Sequence, residues 1–145
     1  MHHPIGAFLG PYYRIGGQKM AQPLFTTYVQ THGSFSRTGP RVSAIVLVES
    51  PIVEHLDKFE AKSPTETEWA SVLFGLCLAL NKNQTSIRLG NNNLSVIHGL
   101  TFIHYPLKQD YASYYRDQII KVAAESNWTG VRWIPRENDK AEKLF

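Results

Sequence analysis

Hydrophobic and polar positions divide the chain into alternating elements. From Leu24 to Thr31, Leu24, Thr26 and Tyr28 fall on one side and Phe25, Thr27 and Val29 on the other, which predicts a strand. Val42 to Val48 is almost wholly apolar and reads as a second strand covered on both faces. Ile52 to Ala61, of mixed polarity, reads as a third. The short turns at Gly39-Pro40 and Ser50-Pro51 favour antiparallel neighbours. Ser63-Pro64-Thr65-Glu66 then combines a capping residue, a proline at the first helical position and a glutamate at the third, and so opens a helix running to about Lys82. Its sides are apolar except for a narrow stripe of Glu68, Ser71 and Gly75, so it is expected at the centre of the fold.

Ser86 to Leu89 predicts a short strand, and Asn91-Asn92-Asn93 caps a short helix through Leu94, Ile97 and Leu100. A longer helix is expected from about Leu107 to Ser126, burying Tyr111, Tyr115, Ile119, Val122 and Ala123 and closing at Asn127 to Gly130. Val131 to Ile134 is the last predicted strand, stopped by Pro135, and Asn138 opens a terminal helix. The order β-β-β-α-β-α-α-β-α implies an α/β domain. Its mixed five-stranded sheet would start with three antiparallel strands, add parallel ones, and be flanked by helices. Residues 1–22, rich in Gly, Tyr and Pro, read as an irregular N-terminal arm ahead of a domain at 23–145.

Composition narrows the function classes. The 145 residues fit one domain, and the formal charge of +3 permits a polyanionic partner without demanding one. The single cysteine, Cys77, lies in an apolar run. That excludes an internal disulfide and argues against a catalytic thiol, which needs an electropositive, partly exposed setting. No stretch is long and apolar enough to span a bilayer and no signal peptide is evident, so a cytoplasmic location with no membrane partner is expected.

Four segments carry the candidate chemistry. Thr31-His32-Gly33-Ser34 follows the first strand, Glu68 to Leu80 forms the central helix, Gly90-Asn91-Asn92-Asn93-Leu94 ends the fourth strand, and Trp133 to Leu144 closes the chain. In order and placement they resemble the Asp-Gly-Ser turn, glutamate helix, Gly-Asp-Ser-Gln-Leu segment and Val-Pro-Arg-Glu ending of ribonuclease H, in its type 1, reverse-transcriptase-like branch. The resemblance covers about residues 24–145 and implies the ribonuclease H-like fold. It also implies two-metal phosphodiester hydrolysis, in which four carboxylates hold two Mg²⁺ ions. By position, the acidic quartet becomes His32, Glu68, Asn91 and Glu142 here, so four formal charges fall to two. The Thr-Asn-Asn that the resemblance places against sugar hydroxyls is Ser63-Pro64-Thr65.

Such a site is degenerate, because Mg²⁺ wants anionic oxygen ligands. A nucleic-acid-binding domain for an RNA/DNA hybrid or duplex is therefore expected, with hydrolysis lost or much reduced. Arg136, Ser34 and Lys140 are its candidate contacts, joined by Arg132 and Lys143. Two other readings stay open. Glu68, Glu142 and His32 would offer one nitrogen and two carboxylates, a set better suited to Mn²⁺ or Zn²⁺, for an altered nuclease that cuts the RNA of a hybrid. A protein-interaction scaffold that binds no nucleic acid is the third. Each residue also has an ordinary role. His32 suits a turn, Glu68 and Asn91 suit helix caps, and Glu142 and Arg136 suit an exposed surface.

Overall fold

The computed structural model describes residues 26–144 apart from 58, 85 and 103. The proposed arm, and Leu24 and Phe25 of the first predicted strand, lie outside the described residues. The elements are β1 (Thr27–Ser36), β2 (Gly39–Leu47), β3 (Ile52–Asp57), α1 (Pro64–Asn81), β4 (Ser86–Asn91), α2 (Leu94–Thr101), α3 (Asp110–Ala123) and β5 (Asn127–Trp133). They form one mixed sheet in the order β3-β2-β1-β4-β5. β2 pairs antiparallel with β1 and β3, whereas β4 is parallel to β1 and β5 is parallel to β4.

The predicted architecture is present, with shifted boundaries. β3 stops at Asp57 rather than Ala61, and α3 spans a shorter range than Leu107 to Ser126. Asn127 to Gly130 does not close α3 but begins β5. Gly130 takes φ of 100° there, and the pairing with β4 slips between Ile87 and Leu89. A glycine at positive φ in a strand is the backbone of a bulge, so the turn signal was real but sits inside a strand. The predicted terminal helix is two single 3-10 turns, Arg136–Asn138 and Glu142–Leu144. Asp139 between them is extended, with φ of −83° and ψ of 100°, which breaks the helical run.

α1 begins where its capping box predicts. Ser63 Oγ accepts from the Glu66 N–H at 3.1 Å, and Pro64 occupies the first turn. Trp69, Val72, Leu73 and Leu76 of this helix pack with Val29, Val42, Val46, Ile87 and Leu89 of the sheet and with Tyr115, Ile119 and Val122 of α3. The narrow stripe faces the sheet and not solvent. A Cβ on Gly75 would lie 2.3 Å from Thr31 Cγ2, and Ser71 is fully buried. The missing side chain lets the helix lie close over β1, the strand that carries His32. Among the described residues, no helix is long and apolar enough to cross a membrane.

Candidate functional site

The alternation of side chains along β1 and β4 decides what the site contains. Val29 and Thr31 of β1 and Ile87, Leu89 and Asn91 of β4 are buried on the α1 side. His32, one residue on in β1, and Asn92, just past the end of β4, turn to the opposite side. Asn91 therefore lies behind the site. Its Nδ2 donates to the Thr31 carbonyl at 3.3 Å, to Thr31 Oγ1 at 3.1 Å and to Ser71 Oγ at 3.3 Å, while its Oδ1 accepts from the Asn93 N–H at 2.8 Å. Asn93, not Asn91, caps α2, through Val96 N–H.

Glu68 reaches the site from the first turns of α1. The approach is close at Gly33, where a Cβ would lie 2.3 Å from the Thr67 carbonyl oxygen, so only glycine lets the helix sit there. The Gly33 N–H donates to Glu68 Oε1, and His32 Nδ1 lies 3.6 Å from the same oxygen. Burial pushes the Glu68 carboxyl up to about 8, against the Gly33 hydrogen bond, with the Asp139 and Glu142 carboxylates adding to the rise. Burial also lowers His32, opposed by Glu142. At neutral pH the two are thus an uncharged acid beside a neutral imidazole, and their contact is not an ion pair.

The C-terminal segment supplies the rest by crossing the sheet. Ser43 Oγ of β2 donates to the Ala141 carbonyl at 2.8 Å, and the Lys140 N–H donates to Gln30 Oε1 at 2.8 Å. This fixes Asp139 and Glu142 beside β1. Asp139 is fully buried, and its Oδ1 accepts from the Ala141 N–H at 3.0 Å. Burial pushes its carboxyl up to about 6, against the backbone N–H groups of Ala141 and Glu142. Glu142 is not an exposed helix charge, since its side chain is 14 % exposed and pairs with Arg136 Nε. Arg136 is 80 % exposed, and Lys140, Lys143 and Arg132 are exposed as well. Ser34 lies in β1 two residues beyond His32 and is partly buried.

Asn92 is the hub of the cluster. Its Nδ2 lies 3.4 Å from His32 Nδ1, 3.2 Å from Asp139 Oδ2 and 3.4 Å from Glu142 Oε2. Asp139 and Asn92 are the residues that the sequence reading did not single out. The structure thus gathers His32, Glu68 and Glu142 at one end of the sheet with these two, and leaves Asn91 outside.

The Mg²⁺ ions implied by the resemblance would need converging anionic oxygens in near-octahedral array. Here an amide donor points at the acceptors, a guanidinium holds one carboxylate, and a second carboxyl is engaged by a backbone N–H. These side chains do not fit such ions as placed. Nor do His32, Glu68 and Glu142 form the expected mixed set. Among the described residues, no three His, Cys, Asp or Glu side chains are arranged to hold a metal ion. The other reactive-type group, Cys77, is buried in the core with its thiol pushed up to about 12 by burial.

No family model and no curated protein matches the sequence. Solved structures do. The N-terminal RNase H domain of Rv2228c from Mycobacterium tuberculosis, solved as a maltose-binding-protein fusion, superposes with a TM-score of 0.68 at 13% identity, covering 82% of this chain and 89% of that one. RNase H1 from the archaeon Halobacterium salinarum gives 0.70 at 11% identity, covering 83% and 93%. LC11-RNase H1, solved in complex with an RNA/DNA hybrid, gives 0.64 at 14% identity, covering 81% and 92%. With the strand order and the placement of α1 already described, these likenesses establish that the chain has the ribonuclease H-like fold.

Proposed function

We propose that this protein binds nucleic acid, with an RNA/DNA hybrid as the first ligand to test, and that metal-dependent hydrolysis is lost or much reduced. Asn92 is the observation that carries the reading. An amide stands where the side chains of β1, β4 and the C-terminal segment converge, and its N–H groups serve His32, Asp139 and Glu142. An amide supplies no charge, so the donor set holds divalent ions poorly. It also reduces the repulsion that a cluster of bare carboxylates would exert on a phosphodiester.

Arg136 presents an exposed guanidinium at this edge while its Nε engages Glu142. Arg132, Lys140 and Lys143 add exposed cations on the same C-terminal stretch. Such a row tracks a phosphate backbone and gives affinity without reading sequence. Recognition of a hybrid would then rest on duplex shape and 2′-hydroxyls. The fold's likeness to a protein solved with an RNA/DNA hybrid makes that the ligand of choice. A cytoplasmic setting goes with this reading.

The test is a labelled RNA/DNA hybrid incubated with the protein in Mg²⁺ and then in Mn²⁺, with Glu68→Gln alongside. The hybrid is expected to stay intact and to be retained at low salt. Cleavage that disappears in Glu68→Gln would overturn the loss of hydrolysis and establish an enzyme with an altered site. An intact hybrid that is not retained would leave the scaffold reading.

A further inference from the structure

Trp133 closes β5 next to the site, paired across the sheet with Asn91. It is 45 % exposed at the end of an edge strand. Its indole is not loose. Nε1–H donates to the Asn92 carbonyl at 3.1 Å, the backbone of the residue whose side chain organises the cluster. One hydrogen bond thus fixes the ring against the site loop and leaves aromatic surface in water. Arg136 follows three residues later, exposed and paired with Glu142 of the same cluster, whereas Arg132 precedes Trp133 in β5 and points to the other face of the sheet. A fixed aromatic face near an exposed guanidinium has the composition of a stacking platform for single-stranded nucleic acid. Bases inside a duplex are already stacked on one another and cannot use it.

We infer that Trp133 stacks on an unpaired nucleotide beside the site, so that the ligand is a junction between a duplex and a single strand rather than a continuous duplex. This rests on the nucleic-acid reading above and adds a subsite to it. Arg136 holds a neighbouring phosphate while the indole takes the base face. The indole edge stays bonded to Asn92, so little side-chain freedom is lost on binding.

Binding is compared for a blunt RNA/DNA hybrid and for the same hybrid carrying a three-nucleotide single-stranded overhang on each end in turn. The protein is used whole and in chelator, as wild type, Trp133→Phe and Trp133→Leu. Both variants lose the bond to Asn92 and keep an apolar side chain, and only Phe keeps an aromatic face. Circular dichroism verifies that each is folded. Wild type is expected to prefer one overhang by about tenfold, with Phe keeping most of that preference and Leu losing it. The salt slope should be unchanged in both variants, because no charge is removed. Equal binding of blunt and overhung hybrids by wild type, or a preference that survives in Trp133→Leu, would overturn the subsite while leaving the nucleic-acid reading intact. Failure of wild type to bind any of these ligands would overturn both.

Discussion

Glu68 is held between the Gly33 N–H and the His32 ring, with water largely excluded. Its carboxyl is pushed from 4.5 up to about 8, so the folded protein keeps a proton that the unfolded chain releases. The contribution is greatest below about pH 4.5, is lost as pH rises towards 8, and is flat above that. Glu68→Gln has no proton to lose and can still accept from Gly33. Relative to wild type it should gain roughly 1–3 kcal/mol in unfolding free energy between pH 5 and pH 9. Urea titrations in chelator at the two pH values measure this, and a constant difference would show that the carboxyl is not buried in this way. His32 and Glu68 were singled out through the resemblance of their segments, whereas their turn and cap signals alone suggested only ordinary roles. Asn91 was singled out over Asn92 because it follows Gly90 as the aspartate follows the glycine in the segment that it resembles. Carrying the period of two onward from Ile87 and Leu89 places Asn91 on the α1 face and Asn92 on the other. That signal was present in the residues.

At the level of elements, the site depends on how closely α1 lies over β1. Gly33 is the contact point, and a Cβ there meets backbone atoms of Thr67 and Glu68 that cannot rotate away. Gly33→Ala should therefore cost about 1–3 kcal/mol and displace Glu68 from His32. The urea midpoint reads the first effect, and the dependence of stability on pH reads the second, since a displaced Glu68 loses its raised pKa. An unchanged midpoint would contradict the packing. The capping box at Ser63 to Glu66 was legible from local chemistry alone. The end of the chain was not. Asp139 looks like an exposed acid in a helix start, and its burial follows from the segment crossing β1 and β2 through Ser43 and Gln30. No local pattern encodes a contact that spans about a hundred residues of chain.

Across the whole molecule, a mixed sheet of three antiparallel strands with parallel additions was readable in the sequence, whereas the pairing of β4 with β1 that gives the order β3-β2-β1-β4-β5 was not. The charge distribution was less so, because it depends on which carboxyls the fold buries. Glu68 is uncharged at neutral pH and Glu142 is paired with Arg136, while Asp139, raised only to about 6, stays ionised, so the cluster's remaining charge is small against the exposed cations Arg132, Arg136, Lys140 and Lys143 of the C-terminal stretch. A phosphate backbone laid along them would release counterions. The most direct measurement is the affinity for a labelled RNA/DNA hybrid as salt rises from 50 to 200 mM, in chelator. With about four phosphate contacts, the affinity should fall roughly a hundredfold, with log affinity linear in log salt. Absence of binding at 50 mM, or binding indifferent to salt, would contradict a phosphate-tracking role for this domain.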